Sequence, residues 1–223
     1  MAYELEEFCN DCRGAIQSDP GDGGREVIRD KLAELVKNQD FVAEHCWPGR
    51  PFGTYTVYQD PETDFHLLAH CFDNGSKSPP HDHGKSWAIY AQTHGYTDMT
   101  VWDRNDDPAA GGPVDLSVRE TYRLNPGDAG IFHPGDIHTI EFNDGSRFVR
   151  VTGTDLNQEA QAIYNMADKT VKIASAAQAI DSSEASEEVG AAPTVLSEVP
   201  EFGLGRKPRR QGAGDSRDAR QVR

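Results

Sequence analysis

Residues 78–95 read SPPHDHGKSWAIYAQTHG. Two histidines, His81 and His83, stand one residue apart between a proline pair and an apolar run. On an extended strand, residues of like parity point to one face, so the two imidazoles can turn their nitrogens toward a common point. The same spacing also fits two ordinary histidines on one face of a strand. Which reading holds depends on the sequence around them.

Working outward, the chain after Pro48 is a succession of short runs rich in β-branched and aromatic residues: TYTVYQ, DFHLLAHCF, SWAIYAQT, YTDMTVWD, LSVRETYRL, AGIFHPG, IHTIEF and RFVRVTGT. Clusters of Gly, Pro, Asn and Asp separate them, as in QDPETD, DNGSKSPP and DRNDDPAAGGP. Many short strands with turn residues between them predict an all-β barrel or sandwich. NQEAQAIYN then predicts a helix capped by Asp155 or Asn157, and KTVKIA can add an edge strand. Before the strands, residues 3–17 and 25–38 are expected to be helical, with Val27, Ile28, Leu32, Leu35 and Val36 at helical spacing and SDPGDGG as the break. From Ser175 the sequence is dominated by small, polar and charged residues, a composition expected to be disordered. The expected organisation is a helical lead-in over 1–48, a barrel domain over 49–174 and a tail over 175–223.

The 223 residues carry a formal net charge of −15. Such a balance repels nucleic acid and anionic membranes, so neither is an expected partner, and it says little about chemistry. An anionic substrate would need a local positive group. No run approaches the roughly 18 apolar residues of a membrane helix. The acidic N-terminus MAYELEEFCNDC lacks the apolar core of a secretion signal, and a cytoplasmic protein is expected. Cys9 and Cys12 form a C-x-x-C without a second pair to complete a zinc site, in a helix-like segment, so they read as two helix cysteines.

A third histidine is offered by GIFHPGDIHTIEF, where Pro134-Gly135 make a tight turn and His138 opens the next strand. H-x-H followed by P-G-x-x-H in a chain of short strands favours a metal centre of His81, His83 and His138.

These residues resemble the cupin superfamily, whose fold is a double-stranded β-helix barrel. Its first motif runs from a glycine through H-x-H and an acid to a closing glycine, matching Gly75, His81, His83 and Gly95. Its second motif matches Gly127, Gly135 and His138, with the proline one place late at Pro134 and His133 in its slot. The acid of the first motif would fall at Ala88. Three neutral imidazoles suit Fe, Zn, Cu or Ni. A three-histidine set without an acid resembles the thiol dioxygenase branch, which includes cysteine dioxygenase, and DFHLLAHCFDNGSKSPPHDH has that branch's layout. The resemblance implies Fe(2+), with a small thiol and O2 as substrates and a sulfinate as product. Two other readings remain: a three-histidine cupin dioxygenase cleaving a C–C bond of a diketone, enol or phenol, and a metal-binding sensor without turnover.

The Ser, His and Tyr that thiol dioxygenases carry on a late strand correspond here to Phe148, Arg150 and Thr152. Ala88 stands where cysteine dioxygenase has its cross-linked cysteine, and Tyr55 where it has a carboxylate-binding arginine. Arg150, Tyr55 and Thr152 are therefore the candidate substrate-binding residues, with a buried guanidinium fitting a substrate carboxylate. His66 and His70 share a face with Leu68 and Phe72, and either line the barrel mouth or fix a ligand's tautomer. Tyr55, Tyr58 and Tyr90 are each able to donate a hydrogen bond to bound oxygen.

Overall fold

Phe8, Cys9, Cys12 and Ala15 recur at helical intervals and form the buried stripe of α1 (Leu5–Ser18). In the computed structural model, which describes residues 2–109 and 111–174, two more helices follow: α2 (Asp22–Leu35) and α3 (Gln39–His45). Helix α2 starts inside the glycine run expected to be a turn. Gly24 permits this, because a Cβ there would sit 1.9 Å from the Asp19 carbonyl oxygen. Asn38 caps α3 by accepting hydrogen bonds from the backbone of Asp40 and Phe41.

The strands are β1 (Gly53–Gln59), β2 (His66–Cys71), β3 (Ser76–Lys77), β4 (Ala88–His94), β5 (Thr97–Arg104), β6 (Leu116–Leu124), β7 (Ala129–Phe132), β8 (Ile137–Phe142) and β9 (Arg147–Thr152). They pair antiparallel into a five-stranded sheet, β1-β2-β9-β4-β7, and a four-stranded sheet, β3-β8-β5-β6. Strands far apart in sequence alternate between two facing sheets, as in the double-stranded β-helix of cupins.

Both faces of the five-stranded sheet are covered. Leu67, Ala69, Ile89, Ala91, Val149 and Val151 face the helices and join Phe8, Ile28, Leu32 and Leu35 in one core. Each Leu or Ile so buried contributes about 1.5–3 kcal/mol. Residues of the opposite parity, among them Ala88, Tyr90 and Phe148, face the barrel interior with Met99, Val101 and Phe142 of the other sheet. Arg13 ties α1 to the sheet by a 2.6 Å ion pair with buried Asp60. Burial alone would raise the Asp60 carboxyl, but hydrogen bonds from Arg13, Thr63 and Tyr58 hold it well below the usual range. All four cysteines are free and buried, and burial pushes the Cys9 thiol up to about 12.

The region after the barrel departs from expectation. NQEAQAIYN does not form a helix. A 3₁₀ turn, Leu156–Gln158, leads into strand β10 (Gln161–Asn165), which pairs with β11 (Thr170–Ala174) as a hairpin. Ala162 and Tyr164 are buried while Ile163 and Asn165 are exposed, a period of two. Tertiary partners decide the matter: Ala162 accepts from the Asp82 backbone at 3.1 Å, and the Tyr164 N–H donates to the Pro80 carbonyl at 2.9 Å. A nine-residue segment has too little intrinsic helix stability to resist those bonds. The expected tail over 175–223 lies outside the described residues. No helix among the described residues is long and apolar enough to cross a membrane.

Candidate metal centre

His81 and His138 stand directly opposite each other. Each donates its backbone N–H to the other's carbonyl at 2.9 Å, an antiparallel pair that puts both side chains on one face. His83, two residues on, shares that face. The turn that brings His138 into place needs Gly135, whose φ of +82° follows Pro134 as in a type II turn, closed by the Asp136 N–H to the His133 carbonyl at 3.0 Å. The three ring centroids lie 4.4, 4.8 and 5.2 Å apart, and one nitrogen from each lies within 4.8 Å of the others. Two nitrogens bound to one ion at about 2.1 Å are at most about 4.2 Å apart, so small ring rotations complete the closure.

The tautomers are set from outside the cluster. The Nδ1 of His81 faces the Pro79 carbonyl at 3.0 Å, that of His138 the Asp136 carbonyl at 3.3 Å, and that of His83 the Gln161 Oε1 at 3.4 Å. An acceptor at each Nδ1 puts the proton there and leaves the lone pair on each Nε2. Gln161 is oriented by donating its own amide to the Leu156 carbonyl at 2.8 Å. Burial pushes His83 and His138 well below the ordinary imidazole range, with the neighbouring imidazoles and Arg150 acting in the same direction. Burial also lowers His81. Neutral imidazoles are the form that ligates a metal.

The residues fit a metal ion. His138 is fully buried, its ring stacks on Phe132 at 3.7 Å, and its Nε2 has no hydrogen-bond partner. A buried nitrogen left so costs about 1–3 kcal/mol unless something binds it. At the place of the motif's acid, Ala88 is buried beside Tyr90 and Phe132. No carboxylate joins the cluster among the described residues.

Arg150 points into the barrel. It lies between Leu68 and Tyr90 in the register and shares its face with Phe148 and Thr152. Its Nε is buried without a hydrogen-bond partner, and the guanidinium is 5.9 Å from the Tyr90 ring centroid. Its charge helps lower the proton affinity of His70, His81, His83 and His138. Thr152 is buried on the same face and donates its hydroxyl to the Thr154 carbonyl at 2.7 Å.

Other expectations are corrected. Tyr55 does not line the site: it is paired with Ala69 on the helix-facing side, donates its hydroxyl to the Pro51 carbonyl at 3.0 Å and lies under Arg50. Tyr58 is committed to Asp60. His66 and His70 face the barrel but do not fix the ligand tautomers, a task carried by Pro79, Asp136 and Gln161. His66 lies 3.6 Å from Asp64. His70 holds Thr54 Oγ1 at 3.1 Å through Nδ1, stacks on Phe148 at 4.9 Å, and leaves its Nε2 buried and unpartnered. Sequence reasoning missed Gln161, whose contact with His83 exists only because β10 pairs with the H-x-H segment. It left Tyr90 among three candidates, and the Tyr90 hydroxyl proves to lie 3.2 Å from His83 Nε2.

No protein-family model and no curated protein matches the chain. Solved structures similar to parts of it include KdgF from Halomonas sp., 20% identical over 44% of this chain and 74% of that one, with a TM-score of 0.35. A cupin superfamily protein from Desulfitobacterium hafniense is 16% identical over 46% of this chain and 76% of that one, with a TM-score of 0.33. Oxalate oxidase in complex with the substrate analogue glycolate is 18% identical over 48% of this chain and 52% of that one, with a TM-score of 0.31. The barrel has the double-stranded β-helix fold found in cupins, and its three-histidine cluster offers the ligands for one metal ion.

Proposed function

We propose that the protein is a non-haem iron(II) dioxygenase of the cupin class that adds O2 to the sulfur of a small, carboxylated thiol. The observation that carries this reading is an all-neutral ligand set beside an arginine with no hydrogen-bond partner at its buried Nε. Three imidazoles leave the ion its full +2 charge, which favours an anionic thiolate as a further ligand. Iron supplies O2 activation next to that sulfur. The balance is RS⁻ + O2 → RSO2⁻: the O–O bond breaks, two S–O bonds form, and sulfur provides all four electrons, so no external reductant enters.

The chain's own contribution is binding and placement. Arg150 holds the substrate carboxylate, since a guanidinium inside a barrel needs an anion and its planar fork suits a carboxylate. Phe148 and Tyr90 wall the space beside it. Arg150→Ala should raise KM for a carboxylated thiol by roughly 10- to 100-fold, the worth of one charged hydrogen-bonded partner, with a smaller change for a neutral thiol. Equal effects on both thiols would remove Arg150 from this role.

The test of the activity is oxygen uptake by iron-loaded protein with a panel of thiols and a panel of diketones, iron content being measured alongside. One O2 consumed per thiol, with sulfinate formed, is expected. Cleavage of a diketone without thiol turnover, or no uptake at full iron loading, contradicts the proposal and leaves the C–C-cleaving or the sensor reading.

A further inference from the structure

We infer that His70 is a positioning residue for Arg150: its Nε2 lone pair accepts a hydrogen bond from the buried Arg150 Nε–H and so holds the guanidinium with its terminal nitrogens turned to the substrate. The inference rests on the reading of Arg150 as the residue that binds a substrate carboxylate.

A line of polar side chains crosses the five-stranded sheet on its barrel side. Thr54 of β1 stands opposite His70 of β2, and Arg150 of β9 stands opposite Tyr90 of β4, whose hydroxyl reaches His83. His70 and Arg150 link the two pairs. His70 is opposite Phe148 and Leu68 is opposite Arg150, so His70 and Arg150 are diagonal neighbours on adjacent strands. Such neighbours lie about 7–8 Å apart at the backbone, within reach of long side chains. Each carries a buried nitrogen without a hydrogen-bond partner, Nε of Arg150 and Nε2 of His70.

The two atoms are complementary. An arginine nitrogen only donates, whereas a neutral imidazole has one N–H and one lone pair. Burial and the charge of Arg150 keep His70 neutral. Its Nδ1 lies 3.1 Å from the Thr54 hydroxyl, which serves either tautomer, as acceptor or as donor. Arg150 decides between them. An Nε2–H would set a second donor against the guanidinium, while a lone pair there faces the positive charge favourably. Nδ1–H donating to Thr54 is therefore the tautomer, and half-buried Thr54 turns its own proton to water. Stacking on Phe148 at 4.9 Å and Phe72 at 6.1 Å fixes the plane of the ring. The competing acceptors for Arg150 Nε are the oxygens of Tyr90 and Thr152, but each of these hydroxyls already has a partner, His83 and Thr154. With its Nε held, the half-buried guanidinium keeps its terminal edge for a carboxylate, in one orientation and with less freedom to lose on binding.

The test is nitrogen-15 NMR of the full chain loaded with Zn(II), a diamagnetic ion. The His70 ring is expected to carry its proton on Nδ1, and its Nε2 to show nitrogen–nitrogen coupling to Arg150 Nε through the hydrogen bond. A proton on His70 Nε2, or no coupling between the two nitrogens, overturns the inference, and neither result needs a variant to fold. In iron-loaded protein, His70→Leu should raise KM for a carboxylated thiol about 10-fold with kcat little changed, and a neutral thiol should respond less. His70→Gln, whose side-chain carbonyl can accept from Arg150, should recover most of the loss. Equal shifts for both thiols, or a Gln variant as impaired as the Leu variant, overturn the positioning role. Absence of thiol turnover at full iron loading defeats the proposed function instead, and the nitrogen coupling still decides whether His70 holds Arg150.

Discussion

The two faces of the five-stranded sheet come from the same strands and do opposite work. The face toward the helices is Leu67, Ala69, Ile89, Ala91, Val149 and Val151, apolar throughout and closed by α1 and α2. The face toward the barrel carries His66, His70, Tyr90, Arg150 and Thr152, and three of its nitrogens are buried without a partner. Unpartnered polar atoms oppose folding, so the apolar face must offset what the polar face costs. A single step in parity moves a residue from stability to chemistry.

The sharpest way to break this comparison is to remove one ligand. His81 is the most accessible of the three, so His81→Ala should end stoichiometric metal binding and leave the thermal transition of the metal-free protein nearly unchanged. His138→Ala loses the metal too, but also the stacking on Phe132, and should lower Tm further. Metal content and calorimetry on the same preparations check both. On the opposite face, Leu67→Ala opens a cavity under the helices and should cost about 2–5 kcal/mol, with full metal loading in whatever remains folded. Denaturant unfolding with metal analysis decides whether the two faces are separable in this way.

The comparison also explains what was legible in the sequence. Helices α1 and α2 and the barrel strands were readable from their periods, and the histidine triad from H-x-H parity and the Pro134-Gly135 turn, whereas α3 was not called. Tyr55 was assigned by its correspondence with the carboxylate-binding arginine of cysteine dioxygenase, but its parity on β1 turns it to the helix-facing side beside Ala69. The barrel is the more polar side, and the apolar residues of β1 and β2 turn outward to meet helices. A bulge between Thr56 and Tyr58 further breaks parity along β1. The hairpin after the barrel was read as a helix because its strand partners, Pro80 and Asp82, lie far upstream. Gln161 was invisible for the same reason.

A smaller effect sharpens the role of that hairpin. Gln161→Leu removes the acceptor that holds His83 in its ligating tautomer and should weaken metal affinity roughly 10- to 100-fold without unfolding the barrel. Titration with Zn(II) measures it, and unchanged affinity would assign the tautomer to another group. The smallest effect is expected at Tyr55→Phe, which loses one exposed hydrogen bond to Pro51 and should change neither metal binding nor turnover, with stability within about 0.5–1.5 kcal/mol.

The central claim is that three imidazoles, brought together by one backbone pair and one proline-glycine turn, share a single cation. Anomalous diffraction from crystals of the iron-loaded protein tests it most directly. The account predicts one metal peak about 2.1 Å from Nε2 of His81, His83 and His138. A peak bonded elsewhere, or none between these rings in protein shown to carry one iron per chain, would contradict it.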